Sequence, residues 1–332
     1  MRQKTSREYP KHIMNNTNNR PIGKPIGFYT AWDDFTLVCR KQLHSTPQDT
    51  PGEHWHNDFY ELVTVSSGYG VHKAENRTWN ISPGSVFLVH PHQRHCYVEY
   101  DNLLIYNLLF TRKFLRLFLP DLTRLPGYQL LFNVSPKEII HSPNDGIRIQ
   151  EEHIPEIIRL LDEMNMLNTS LQPGDKSLMI SHFIKAVLLL TRHSHLSSRS
   201  NRGHQMEQLT KLLSKLESHF DEQWTLHTMA AATNMSVSNF RLSFCKLMGL
   251  SPIEYLLRLR LAKSLIKLET SNIPIEEIAF SCGFNTPNYF TRQFKAHYNI
   301  LPARYRREYL AGMRPPIIEQ SHIAPDKADK HP

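Results

Sequence analysis

Apolar and polar positions change rhythm twice along the chain. From Phe28 to about Leu109, short apolar runs are broken by Gly, Pro, Asn and Asp. Phe35–Cys39, Tyr60–Val65, Ser85–His90 and Leu103–Phe110 are the clearest, and their even spacing predicts strands of an antiparallel sandwich or barrel. Ser67-Gly68-Tyr69-Gly70 and Ser82-Pro83-Gly84 supply turn chemistry between them. The period then becomes helical. Ile154, Ile157, Ile158, Leu161 and Met164 predict a helix over Glu151–Leu167, and a second is expected at Lys176–Arg192. His193–Gln205, rich in Ser, Arg and His, reads as linker. Beyond it everything reads as helix, first Met206–Phe220 and then shorter segments punctuated by Ser, Asn, Gly and Pro.

The expected organisation is α+β and multidomain. It has a polar, disordered tail at 1–25, a sheet domain at 26–150, a helical region at 151–195, a linker at 196–205, an all-α domain at 206–312 and a second disordered tail at 313–332. A length of 332 residues suits about two domains. The densest apolar run, Ala186–Leu190, falls far short of the roughly 18 residues that span a bilayer. Met1–Arg20 is positively charged but lacks an apolar core, so neither a secretory signal nor a membrane partner is expected. Cys39, Cys96, Cys245 and Cys282 are scattered, without CxxC spacing. Free thiols in a reducing cytoplasm are the expectation, rather than a disulfide framework or a zinc site.

The formal net charge of +8 points to a polyanionic partner, and the distribution of charge sharpens this. No Asp or Glu occurs from Gln223 to Ile253, nor from Ile278 to Arg307. Those stretches carry Arg241, Lys246, Arg292, Lys295, Arg304, Arg306 and Arg307. A surface that meets phosphates excludes acids and releases counterions through its bases.

The same region repeats itself. Leu226, Met229 and Ala230 correspond to Ile275, Ile278 and Ala279, 49 residues later. After one inserted residue, Phe240, Phe244, Pro252 and Tyr255 correspond to Phe290, Phe294, Pro302 and Tyr305, 50 later. Each unit reads as helix, tight turn, helix. Ser236 is a natural N-cap in the first. In the second, Thr286 caps and Pro287 takes the first helical position, while Gly283 is free to turn left-handed. Phe residues four apart mark the buried face of each second helix. The opposite faces hold Ser238, Arg241, Leu242 and Cys245, and Asn288, Thr291, Arg292 and Lys295. Arg and Asn read guanine and adenine edges in a major groove that admits a helix. Two such helices joined by a long one, about Pro252–Leu268, suit successive grooves about 34 Å apart.

These residues carry a resemblance. Ser236-Val-Ser-Asn-Phe-Arg-Leu-Ser-Phe, Gly249-Leu-Ser-Pro-Ile-Glu-Tyr-Leu, Ile278-Ala-Phe-Ser-Cys-Gly-Phe-Asn-Thr-Pro-Asn-Tyr-Phe-Thr-Arg-Gln-Phe-Lys and Pro302-Ala-Arg-Tyr-Arg resemble the AraC/XylS family of bacterial regulators. The resemblance implies a double helix-turn-helix domain on double-stranded DNA. It places Ser238, Arg241, Leu242, Asn288, Thr291 and Arg292 toward bases, and Lys295 at a phosphate. Ser236, Lys246, Asn285 and Thr286 complete the expected DNA-facing set. Three departures stand out. Leu242 and Cys245 occupy positions where the family often has polar or basic residues, and Asn299 replaces a usual Gly. The same resemblance implies a homodimer through the helices at 151–195, and recruitment of RNA polymerase.

The N-terminal half holds His54-Trp55-His56, then Glu61, then Gly68, an H-x-H-x4-E-x6-G pattern followed by His90, His92 and His95. Alternation along a strand aims His54 and His56 to one side. The pattern resembles the cupin metal motif, with His54, His56, Glu61 and His95 at its ligand positions, although His90 and His92 replace the expected Pro and Gly. Such a set suits Zn, Fe, Mn or Ni. The stretch also resembles the sugar-sensing, cupin-like barrels of AraC-type activators, those of the rhamnose operon among them. That resemblance implies an effector pocket, with a monosaccharide or related sugar as ligand and His54, His56, Tyr60, Glu61, Arg94 and His95 lining it. Two functions compete. One is a transcription regulator, an activator, with neither catalysis nor cofactor; the other is a metal-dependent cupin enzyme fused to a DNA-binding module.

Overall fold

The computed structural model describes residues 36–46, 52–57, 59–111, 114, 121–134, 136–140, 142–170, 172–197 and 201–313. The two expected tails lie outside these residues, apart from Met313. The chain folds as two units. Among the described residues, one holds the sheet and two long helices; the other gathers the helices from Asn201 onward with the short segment 123–134.

The first unit is a single antiparallel sheet. Its strands are β1 (Leu37–His44), β2 (Tyr60–Ala74), β3 (Arg77–Ile81), β4 (Ser85–Val89), β5 (His95–Phe110), β6 (Ile147–Ile149) and β7 (Ser194–Leu196), in the order β1-β5-β2-β4-β6-β7 with β3 on β2. β2 and β5 form its spine, pairing from Tyr60↔Phe110 to Ala74↔His95. This is the antiparallel sheet domain expected, but its strands are longer than the apolar runs implied. Ser67–Gly70 does not turn. It continues β2 through irregular registers between Val65 and Ser67 and between Ser67 and Tyr69, with Gly68 at φ +75°. A bulge absorbs the glycine there, and the long partner strand carries the chain straight on. Ser82-Pro83-Gly84 does turn, with Gly84 at φ +83° and Ser85 N–H donating to the Ser82 carbonyl at 2.8 Å.

Both faces of this sheet are covered. Helices α1 (Ile154–Leu167) and α2 (Asp175–His193) pack on one, burying Ile157, Leu161, Met164 and Phe183. Phe183 meets Phe110 edge-on at 5.2 Å. α1 also blunts the open edge of β1. Asn165 Oδ1 accepts from Lys41 N–H at 3.1 Å, Asn168 Oδ1 from Cys39 N–H at 3.4 Å, and Lys41 pairs with Asp162 at 2.9 Å. Edge donors satisfied in this way no longer invite a foreign strand. The other face holds Val38, Phe59 and Leu109 together with a cluster of histidines.

The second unit contains α3 (Asn201–Ser218), α4 (Leu226–Ala232), α5 (Val237–Met248), α6 (Pro252–Thr270), α7 (Ile275–Ser281), α8 (Pro287–Tyr298) and α9 (Pro302–Leu310). α3 starts inside the stretch read as linker. The expected repeat appears as two helix-turn-helix pairs, α4–α5 and α7–α8. Ser236 and Thr286 accept from Asn239 N–H and Tyr289 N–H at 3.3 and 3.2 Å. The turns need left-handed residues. Gly283 supplies φ +80° where even a Cβ would lie 2.8 Å from Asp221, and Asn234, 49 residues earlier, supplies φ +54°. Asn299 ends α8 at φ +57°, the conformation Asn shares with Gly.

α6 serves both pairs. Near its start Tyr255 meets Phe244 at 5.5 Å; further on, Leu261, Leu265 and Leu268 join Ile278, Phe290 and Phe294 in one core. Phe290→Ala should lower the stability of the helical unit by about 3–5 kcal/mol, whereas Thr286→Ala, which removes only a cap, should lower it by about 1 kcal/mol. Urea unfolding of the whole chain followed by far-UV circular dichroism would check this; near-equal small losses would mean that α8 does not pack as described.

Candidate nucleic-acid interface and effector pocket

In both helix-turn-helix pairs, burial of the phenylalanines decides which side faces out. Phe240, Phe244, Phe290 and Phe294 are fully buried. Ser238, Arg241, Leu242 and Lys246 on α5 are exposed, as are Asn288, Arg292 and Lys295 on α8, while Thr291 is half-buried. Leu242 is 72% exposed on the same side. Ser236 and Thr286 lie at the helix starts with their oxygens engaged as caps. Asn285 accepts from Gln223 Nε2 at 3.1 Å, which ties its side chain to the turn before α4. The sequence reading overlooks Tyr289, which is partly exposed and carries the Arg292 guanidinium at 5.4 Å from its ring centroid. Such stacking holds a guanidinium fork in place.

Arg260 braces this scaffold. Its Nε donates to the Phe220 carbonyl at 2.8 Å and a terminal nitrogen to the Glu222 carbonyl at 2.7 Å, just ahead of α4.

On the inner face of the sheet, long-range pairing brings the expected histidines together. His54 and His95 exchange backbone hydrogen bonds at 3.0 and 2.9 Å, and the His56 carbonyl accepts from His92 N–H at 2.6 Å. His56 Nε2 consequently sits 2.8 Å from Glu61 Oε2 and 3.1 Å from His95 Nε2. His95 Nε2 is 3.5 Å from the same carboxylate oxygen. Nδ1 of His54 donates to the Gly52 carbonyl at 2.8 Å. All four side chains are buried.

Tyr60 and Arg94 stand apart from this cluster. Adjacent strand residues point to opposite faces, so Tyr60 turns from Glu61 and stacks on Phe110 at 5.8 Å. Arg94 is exposed, over the Trp55 ring at 5.0 Å and 3.9 Å from Glu53. In their place the fold supplies His72, fully buried, whose Nε2 lies 3.3 Å from His95 Nδ1. Trp79, Phe87 and Tyr97 surround His72 at ring distances of 4.6, 4.4 and 5.2 Å. Further along β5, Asn107 Nδ2 donates to Gln42 Oε1 at 2.8 Å. His72 Nδ1, Tyr97 OH and Asn107 Oδ1 are buried without a hydrogen-bond partner.

Desolvation sets the charge states here. Burial pushes the His72 imidazole down to about 3 and that of His95 well below its ordinary range, so both are neutral near pH 7. His54 is lowered too, by burial and then by the charge of His56. Burial alone would raise Glu61, but the hydrogen bond and charge of His56 outweigh it and hold the carboxyl below its usual range.

Comparison with known proteins decides the family. Residues 37–186 match the family described as AraC-like ligand binding domain, and residues 229–308 match a helix-turn-helix domain family. The chain belongs to the AraC family. It is a DNA-binding transcription regulator with a ligand-binding domain. It is similar to the HTH-type transcriptional activator RhaS of Enterobacter sp. (strain 638), 28% identical over 261 residues that cover 79% of this chain and 89% of that protein. The RhaS of Salmonella schwarzengrund (strain CVM19633) is 29% identical over 266 residues, with the same coverage. Among solved structures, the DNA-binding domain of AdpA in complex with a target DNA is 32% identical, covering 31% of this chain and 94% of that one at a TM-score of 0.31. Among the described residues no helix is long and apolar enough to cross a membrane.

All four cysteines of this AraC-family chain are free, and their settings differ. Burial raises Cys39 and Cys96 and pushes Cys282 up to about 11, whereas Cys245 is half-exposed on the outer side of α5. A thiol-specific chromophore at pH 8 should therefore label one thiol quickly and three only on unfolding, because the thiolate is the nucleophile. DNA from the gene's own upstream region should slow the fast phase. If Cys245→Ser keeps the fast phase, this assignment is wrong.

Proposed function

We propose that this regulator activates transcription in response to a small saccharide held against the inner face of its sheet. The observation that carries the reading is the lining of that face. Buried donors and acceptors on His72, Tyr97 and Asn107 stand beside the aromatic rings of Phe59, Trp79 and Phe87. Hydroxyl-rich rings need this combination: polar groups for their edges and flat apolar surface for their faces. A buried polar group left unmatched is costly, so a ligand that satisfies it gains affinity. His54, His56, Glu61 and His95 form the polar end of the pocket; Tyr60 and Arg94 act behind and at its rim. We assign binding and not catalysis to this domain, since the relatives are transcription activators by name.

On DNA, α5 and α8 enter adjacent stretches of major groove. Ser238, Arg241 and Leu242 read one half-site, and Asn288, Thr291 and Arg292 the other. Lys246 and Lys295 hold phosphates, helped by the helix starts at Ser236, Asn285 and Thr286. Leu242 fits a thymine methyl group. The regulator works as a homodimer through α1 and α2, where Met166 and Leu178 are exposed, and bound dimers recruit RNA polymerase. The saccharide favours the DNA-competent arrangement only in so far as it binds that arrangement more tightly.

Two measurements test this reading. Against a set of single-base operator variants, Arg292→Ala should lose about 1–3 kcal/mol at one base pair. Lys295→Ala should weaken all sequences alike and reduce the salt slope by about 1. Uniform loss for Arg292→Ala would move it to the phosphate group. For the pocket, thermal melting with a panel of monosaccharides should find one that stabilises the protein by about 2.7 kcal/mol at a hundred times its Kd. Asn107→Leu should abolish that shift, and a shift that survives it would place the sugar elsewhere.

A further inference from the structure

Between β5 and β6 the chain leaves the sheet, joins the helical unit over residues 123–134, and returns. This excursion forms one helical turn at Pro126–Tyr128 and a π-helical turn at Gln129–Asn133. Helices this short have no stability of their own, so their order comes from what they pack against. Tyr128, Leu130, Leu131, Phe132 and Val134 are buried, with Tyr128 stacked on Phe132 at 4.5 Å. Its polar groups turn inward as well. Gln129 Nε2 donates to the Thr123 carbonyl and Asn133 Nδ2 to Gln129 Oε1, both at 2.5 Å.

The seat of this segment is α3. Both turns pack on that helix, whose buried side chains include Leu209, Leu212, Leu213 and Leu216. Thr123 Oγ1 donates to Glu217 Oε2 at 3.1 Å, and the Ser214 hydroxyl donates to the Arg124 carbonyl. Glu217 is 3% exposed, and the same oxygen pairs with Lys263 of α6 at 2.8 Å. One buried carboxylate therefore joins the segment, α3 and the helix shared by both helix-turn-helix pairs. Tyr255 extends the path. Burial, then the charges of Glu217 and Tyr128, raise its hydroxyl well above the ordinary range, which places the three groups together. Tyr255 in turn meets Phe244 of α5 at 5.5 Å. Arg241, Leu242, Asn288 and Arg292 are exposed while the segment is seated, so seating leaves the outer sides of α5 and α8 open.

At both ends the segment continues into strands of the sheet. β5, which precedes it, carries Tyr97 and Asn107; β6, which follows it, pairs with β4 through Ser85↔Arg148 and Val86↔Ile147, next to Phe87. We propose that residues 123–134 are a coupling strap, whose seating on α3 holds α6 and α5 in the arrangement that binds DNA. A ligand of the sheet that binds more tightly when the strap is seated raises DNA affinity through it. Control of the strap by a sugar rests on the saccharide reading; the strap's own effect on DNA affinity does not.

The test uses the full-length chain and DNA from the gene's own upstream region. Tyr128→Ala should weaken DNA binding by about 5–150-fold, the range of allosteric coupling, and Thr123→Val should weaken it by less. Thr78→Val, an equivalent change at an exposed position of β3, should leave affinity unchanged. Coupling is reciprocal, so DNA must steady the strap by as much as the strap aids DNA. Hydrogen exchange of the unaltered protein should therefore slow at residues 127–134, by up to the same factor, when DNA is saturating. That measurement needs no substitution and decides the matter even if Tyr128→Ala fails to fold. Strap exchange indifferent to saturating DNA would overturn the proposal. So would full DNA affinity in folded Tyr128→Ala with only its melting temperature lowered, because the segment would then serve packing alone. Both readouts use DNA without effector. A monosaccharide panel that gives no melting shift would thus remove the saccharide reading and leave a DNA-dependent strap standing.

Discussion

Burial of two phenylalanines four residues apart governs the helical unit. A helix has one stripe that can enter a core, and in α5 and α8 that stripe is taken by Phe240 and Phe244, and by Phe290 and Phe294. The polar residues are left on the outside by geometry. α6 then locks the two helices into one body, because its first turns pack on Phe244 and its later leucines on Phe290 and Phe294. The left-handed turns at Asn234 and Gly283 set the angle between the helices of each pair, and Arg260 fixes the approach to the first. Acid-free surface on rigid helices is what a phosphate backbone requires, and the rigidity is what turns attraction into register.

An analogous constraint shapes the sheet unit, with the opposite outcome. Its inner face buries polar atoms as well as apolar ones. The apolar side chains of Phe59, Trp79, Phe87 and Leu109 are buried with them, and burial keeps the imidazoles of His72 and His95 neutral while His56 holds the Glu61 carboxyl below its usual range. A group buried in this way is specific because any mismatch is expensive. The face turned to α1 and α2 carries little such chemistry and serves packing instead, with Asn165 and Asn168 closing the edge at β1.

Much of this was legible in the sequence. The repeat of Phe240/Phe244 in Phe290/Phe294 marked the second helix of both helix-turn-helix pairs, and alternation placed His54 and His56 on one side. What escaped has a physical cause. The irregularity between Val65 and Ser67 inserts one residue into β2 and inverts its alternation, so even-numbered His72 comes to the face of odd-numbered Glu61. Period-two reading fails across a bulge. The same bulge explains why Ser67–Gly70 resembled a turn. Tyr60 faces away from Glu61, because neighbours on a strand point to opposite faces. Asn234 gave no signal as the counterpart of Gly283, because a left-handed Asn is chosen by its turn and not by any pattern of burial.

The account's central claim is that both helix-turn-helix pairs of one chain dock together on DNA. Hydroxyl-radical footprinting of the full-length protein on its own upstream DNA tests this most directly. The account predicts two protected segments per bound chain, centred one helical turn or about 34–36 Å apart, the first fading with Arg241→Ala and the second with Arg292→Ala. A single protected segment, insensitive to one of those substitutions, would contradict it.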